Sequence, residues 1–143
     1  MKVKDVMTRD VEVAHPQLGL PQVAMTMRKL DVGALPVVKD GKITGIVTDR
    51  DITVRAVAES RDLKTSLVDD VMSRQVECVR EDDDVVTAAR RMAERQIRRL
   101  PVVNQEGKLT GIVSMADLAV DTGDPKTVGE TLEEVSQPAK PRR

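Results

Sequence analysis

Apolar residues recur at helical spacing at Leu20, Val23, Ala24, Met27 and Leu30, which predicts a helix over about residues 18–31. Upstream, the spacing gives a short turn at Val6-Met7 and a strand around Val11–Val13. Downstream, Ala34–Val38 reads as a short strand, Asp40-Gly41 as a hairpin turn between apolar runs, and Lys42–Val47 as the returning strand. A second helix is expected over about residues 49–58. The same order then returns in Val76–Val79, Val85–Gln96, Leu100–Val103, Lys108–Val113 and Met115–Asp121. Each half is a β-α-β-β-α unit.

The recurrence is a duplication in sequence as well as in pattern. Asp5-Val6-Met7-Thr8-Arg9 returns as Asp70-Val71-Met72-Ser73-Arg74, and Leu35-Pro36-Val37-Val38 as Leu100-Pro101-Val102-Val103. Gly41-Lys42-Ile43-Thr44-Gly45-Ile46-Val47-Thr48 returns as Gly107-Lys108-Leu109-Thr110-Gly111-Ile112-Val113-Ser114, and Asp51 as Asp117. The offset is 65 before the second turn and 66 after it, with Glu106 as the inserted residue. The expected class is α+β, an α/β arrangement in which helices pack on small sheets and two copies share one folding unit. The expected domains are residues 1–60 and 61–121. Residues 122–143 form a tail, with a short helix over Thr127–Val135 and disorder over Ser136–Arg143.

The sharpest chemical motif is Gly45-Ile46-Val47-Thr48-Asp49-Arg50-Asp51, repeated as Gly111-Ile112-Val113-Ser114-Met115-Ala116-Asp117. A buried strand ends at a hydroxyl residue, and a carboxylate follows three residues later at the start of a helix. One reading is helix capping by Thr48 and Ser114, with the acid in the first turn. The other is that each carboxylate accepts hydrogen bonds from a ribose diol. Both stay open on spacing alone.

Composition narrows the choice. The chain has no Phe, Tyr or Trp, so a flat ligand must lie between aliphatic side chains, and stacking platforms for single-stranded nucleic acid are excluded. Net charge is −1 with 33% charged residues, a balance that draws the chain to neither nucleic acid nor a membrane. Cys78 and His15 are single, which excludes an intramolecular disulfide and a Cys/His zinc site within one chain. No apolar run reaches the length of a signal or membrane segment, and a reducing cytoplasm fits. Neither a catalytic set nor a phosphate loop is present, so no enzyme, required cofactor or metal is expected. The acidic run Glu81-Asp82-Asp83-Asp84 reads as a cap on the following helix. Cys78 reads as a buried small hydrophobe, His15 as a surface residue, and Met25, Met27 and Met92 as core or interface packing.

The Val-Met-Thr/Ser opening, the aliphatic-Pro-aliphatic-aliphatic strand and the Gly-aliphatic-aliphatic-Thr/Ser-x-x-Asp strand end together closely resemble the CBS domain, named for cystathionine β-synthase. The resemblance covers residues 2 to about 121, twice over. It implies a stand-alone tandem pair (a Bateman module) with pseudo-two-fold symmetry, acting in signal transduction. Such a pair regulates a partner protein by sensing AMP, ADP, ATP or NAD in clefts between the copies, and commonly forms a homodimer. Carried over residue by residue, one cleft holds Thr48, Arg50 and Asp51 with Ile97, Arg98, Arg99 and Pro101, lined by Ser73 and Val76. The other holds Ser114 and Asp117 with Gly33, Ala34 and Pro36, lined by Thr8 and Val11. Arg98-Arg99 align with Gly33-Ala34, and Arg50 with Ala116, so the resemblance gives the Asp51 cleft three guanidiniums and a preference for phosphate. Two other roles are compatible with the chain: a structural or interaction dimer without ligand, and a detached regulatory subunit of an IMP dehydrogenase-like enzyme.

Overall fold

The computed structural model describes residues 1–121, 129–130 and 133–134. They fall into two units, Glu12–Val76 and a second made of Met1–Val11 with the chain from Glu77 onward. The Glu12–Val76 unit contains α1 (Leu20–Leu30), β1 (Ala34–Lys39), β2 (Lys42–Thr48), α2 (Asp49–Ile52) and α3 (Val68–Val71). Pro21 sits in the first turn of α1, where a missing N–H costs nothing. Leu20, Val23 and Met27 form the buried stripe of this helix, which stops at Asp31 in a left-handed conformation (φ 55°). The core adds Leu35, Val37, Val47, Ala56, Val68 and Val71.

Strands β1 and β2 pair antiparallel from Ala34↔Thr48 to Lys39↔Lys42. Asp40 (φ 54°) and Gly41 (φ 79°) both take positive φ, as a two-residue hairpin turn requires. The second helix of the sequence reading is present but changes character, with α2 passing into a π-helical stretch over Thr53–Val57.

The other unit contains a 3-10 turn (Val3–Asp5), β3 (Val79–Arg80), α4 (Val85–Arg95), β4 (Arg99–Val103), β5 (Leu109–Ser114) and α5 (Met115–Asp121). Its sheet order is β3-β4-β5, with β3 parallel and β5 antiparallel to β4. Val79, Ala88, Met92, Leu100, Val102, Val113 and Leu118 build the core with Val3, Val6 and Met7. The inserted Glu106 lengthens the β4–β5 turn. There Asn104 Oδ1 accepts from the amides of Glu106 and Lys108, both at 3.0 Å.

The strand expected at Val11–Val13 is absent, and a single parallel bridge, Ala14↔Val37, stands in its place. Proline explains both of its limits. Ala14 N donates to Pro36 O and Val38 N donates to Ala14 O, each at 2.8 Å. The next rung toward the N-terminus needs an N–H from Pro36, which has none. Toward the C-terminus, Pro16 lacks the donor that Glu81, its counterpart, uses on Val103 O at 3.0 Å. β3 can therefore extend past Val79, but it too begins opposite a proline strand, so the expected Val76–Val79 strand shrinks to Val79–Arg80.

Each unit also takes in the opening segment of the other repeat. Ser73 N donates to Ile46 O (2.8 Å) and Ile46 N to Ser73 O (2.9 Å). Thr8 and Ile112 make the matching pair, at 2.8 and 2.9 Å. A Cβ on Gly45 would stand 2.7 Å from Ser73 O, and one on Gly111 2.7 Å from Thr8 O. The glycine of each strand-end motif thus permits close backbone approach. The helix expected over Thr127–Val135 lies outside the described residues except Gly129, Glu130, Glu133 and Glu134, which are helical; the expected disordered tail lies wholly outside them.

Candidate functional site

The strand-end motifs fold into two matching clusters. At the end of β2, Asp51 N donates to Thr48 Oγ1 and Thr48 N donates to Asp51 Oδ2, both at 3.0 Å. At the end of β5, Asp117 N donates to Ser114 Oγ at 3.1 Å and Ser114 N to Asp117 Oδ2 at 2.8 Å. Capping is therefore real in both copies. It also commits one carboxylate oxygen and fixes the direction of the other. The Asp51 side chain is only 12% exposed, and its Oδ1 has Arg55 Nε at 4.0 Å.

The hairpins decide which other residues join each cluster. Because β1 and β2 are adjacent antiparallel strands, the start of β1 lies beside the end of β2 in the same repeat. Ala34 pairs with Thr48 and Pro36 with Ile46. Gly33 O accepts from Asp49 N at 2.9 Å. Ser73 reaches the same strand through Ile46, and Val76 closes the unit, half-buried. In the other unit Arg99 pairs with Ser114 and Pro101 with Ile112, while Arg98 O accepts from Met115 N at 2.9 Å. Thr8 arrives through its bridge to Ile112, Ile97 packs against the core, and Val11 is half-buried. Arg98 and Arg99 are exposed and belong to the unit of Ser114 and Asp117; Arg50 is exposed beside Asp51.

Two residues of the Asp51 cluster were not singled out in the sequence. Asp49 accepts from Arg50 N through Oδ1 at 2.8 Å and faces Gly33. Arg55 was legible in principle, since it stands four residues after Asp51 on the helix that the periodicity predicts.

The remaining candidates have plain roles. Asp84 caps α4 by accepting from Val86 N at 2.8 Å, and Asp83 accepts from Arg80 N at 2.9 Å. Asp82 pairs with Lys4 at 3.0 Å, which holds its carboxyl below the usual carboxylate range and the Lys4 ammonium above its own. His15 is exposed, and its Nδ1 accepts from Gln17 N at 3.0 Å. Cys78 is half-buried rather than buried, and its counterpart Val13 is 42% exposed, because neither lies in a paired strand. Burial, reinforced by the Glu77 charge, pushes the Cys78 thiol up. Met27 and Met92 are core residues, whereas Met25 is 59% exposed. Among the described residues no group of acidic, Cys and His side chains is arranged to hold a metal ion, and no helix is long and apolar enough to cross a membrane.

Known proteins resemble the chain along both repeats. The CBS-domain family model matches residues 3–57 and again 68–120. The CBS domain-containing protein YhcV of Bacillus subtilis is 40% identical over 134 residues, covering 94% of each chain. The solved structure of CBSX2 in complex with AMP superposes with a TM-score of 0.72 at 31% identity, over 82% of this chain and 93% of that one. The CBS domain pair of protein MJ0100, in complex with 5′-methylthioadenosine and S-adenosyl-L-methionine, gives a TM-score of 0.71 at 29% identity, over 86% and 96%. With both repeats matched and each strand-end motif folded as a hydroxyl–carboxylate cluster, the chain belongs to the CBS-domain family, as a tandem pair.

Proposed function

We propose that this CBS pair is a regulatory module that binds an adenine nucleotide and acts on a partner protein rather than on a substrate. The observation that carries the reading is the Asp51 carboxylate, largely buried, with Oδ2 held by the Thr48 amide and Oδ1, 4.0 Å from Arg55 Nε, without a hydrogen bond among the described residues and able to accept a ribose hydroxyl. Asp117 repeats the arrangement. To the first cluster we assign Thr48, Gly33, Ala34, Pro36, Ser73 and Val76. To the second we assign Ser114, Ile97, Arg98, Arg99, Pro101, Thr8 and Val11. An adenine would rest on backbone and aliphatic side chains, as a chain without aromatic residues demands. Guanidinium forks suit phosphate, and the hairpin sets Arg98 and Arg99 beside Ser114. The phosphate preference that those two arginines carry is therefore proposed for the Asp117 cluster, with Arg50 serving Asp51. AMP, ADP, ATP and NAD share the adenosine that these clusters fit.

A thermal-shift panel of the four nucleotides tests the reading. A ligand at about 100 times its Kd adds roughly 2.7 kcal/mol. The shift should fall in Asp51→Ala and vanish in Asp51→Ala/Asp117→Ala; an unchanged shift in the double variant would remove the site. Exposed Met25, Leu30, Val54, Val57 and Val86 favour association with a second copy, and light scattering that gives a monomer mass at micromolar concentration would exclude it. A half-buried single cysteine suits a reducing, cytoplasmic setting.

A further inference from the structure

Arg55 makes contacts that neither capping nor nucleotide binding requires. It lies in the π-helical stretch after α2, one turn beyond Asp51. Its Nη1 donates to Val71 O at 3.2 Å and to Met72 O at 3.3 Å, while its Nε lies 4.0 Å from Asp51 Oδ1. Those carbonyls end α3, where a cation complements the helix dipole. The next residue, Ser73, is the one that pairs with Ile46 on β2. A single guanidinium therefore joins the candidate ribose acceptor to the docked opening segment of the second repeat. The repeat offset of 66 aligns Asp121 with Arg55, so the second repeat has no guanidinium at that position of the sequence.

We propose that Arg55 is a positioning residue that couples occupation of Asp51 to the docking of residues 71–73, and that this coupling belongs to the Glu12–Val76 unit alone. The proposal rests on the nucleotide reading above. A ribose hydroxyl donating to Asp51 Oδ1 competes with the guanidinium for that oxygen. The Arg55 Nη1 bonds to the Val71 and Met72 carbonyls, already made at 3.2 and 3.3 Å, then shorten, and the Ser73–Ile46 pair tightens. Lysine cannot replace it, because one ammonium lacks the planar fork that reaches carboxylate and carbonyls together.

Hydrogen exchange with AMP as the probe tests this in protein carrying Asp117→Asn, where binding reports on Asp51. AMP should slow exchange at the Ser73 and Ile46 amides on the order of fivefold and leave those of Thr8 and Ile112 unchanged. Arg55→Lys should retain AMP binding and lose the slowing; Arg55→Ala should show faster exchange at Ser73 even without AMP. AMP binding with no slowing, or equal slowing in Arg55→Lys, overturns the coupling while leaving the nucleotide reading intact. No AMP binding to the native chain overturns both.

Discussion

The close approach at Gly45 makes this position intolerant of any side chain. Alanine at this position would place its Cβ 2.7 Å from the Ser73 carbonyl, 3.0 Å from Met72 Sδ and 3.3 Å from Met72 Cγ. A methionine end can swing away, but a backbone carbonyl held by Ile46 cannot move without the segment moving. Overpacking of this kind costs about 1–3 kcal/mol. Weakening the two Ser73–Ile46 hydrogen bonds adds about 1 kcal/mol. The expected destabilisation of Gly45→Ala is therefore about 2–4 kcal/mol, which for a chain of this size lowers the melting temperature by roughly 6–12 °C. Gly33→Ala is the control. The three atoms nearest its Cβ would all belong to the Asp49 carboxylate end, the first 3.2 Å away on an exposed side chain, so it should stay within about 0.5 kcal/mol of the native protein. Thermal denaturation measures both, and hydrogen exchange at Ser73 and Ile46 locates the damage. A Gly45→Ala protein as stable as the native one, or destabilised with those two amides still protected, would refute the docking argument.

Further outcomes follow from the same geometry. Thr48→Ala removes the acceptor for Asp51 N and should cost about 0.5–2 kcal/mol in chemical denaturation, with Ser114→Ala costing a similar amount. Asp51→Ala should weaken binding of the preferred nucleotide at that cluster by about 1.5–3 kcal/mol in calorimetric titration, the worth of hydrogen bonds to a charged group. Cys78, with its thiol pushed up, should react slowly with iodoacetamide at neutral pH in the native chain and readily once unfolded. The Asp82–Lys4 pair lowers the Asp82 pKa, so its contribution is present above the usual carboxylate range and disappears as pH falls through the depressed value. Asp82→Asn should thus melt slightly below the native protein at neutral pH and low salt, and match it in strong acid.

The duplication made most of the fold legible. Helical spacing from Leu20 to Leu30 located α1, and Asp40-Gly41 located the first hairpin, because local chemistry decides those features. The first strands were overestimated because the limiting residues, Pro36 and Pro16, are far from Val11–Val13 in one case and outside its apolar pattern in the other. The pairing of Arg99 with Ser114 comes from β4 and β5 forming one hairpin, an adjacency that aligned motifs do not carry. The contacts of Arg55 across to Val71 and Met72 depend on where the second repeat's opening segment docks. Periodicity is silent about that.

The Asp51 and Asp117 clusters are proposed to bind an adenine nucleotide. A chain without Phe, Tyr or Trp contributes little absorbance near 260 nm, so equilibrium dialysis against AMP, ADP, ATP and NAD reads bound nucleotide almost directly. Saturable uptake of at least one of the four is expected, reduced in Asp51→Ala and abolished when Asp117→Ala is added. No uptake from any of them, or uptake untouched by both substitutions, would contradict the proposed binding.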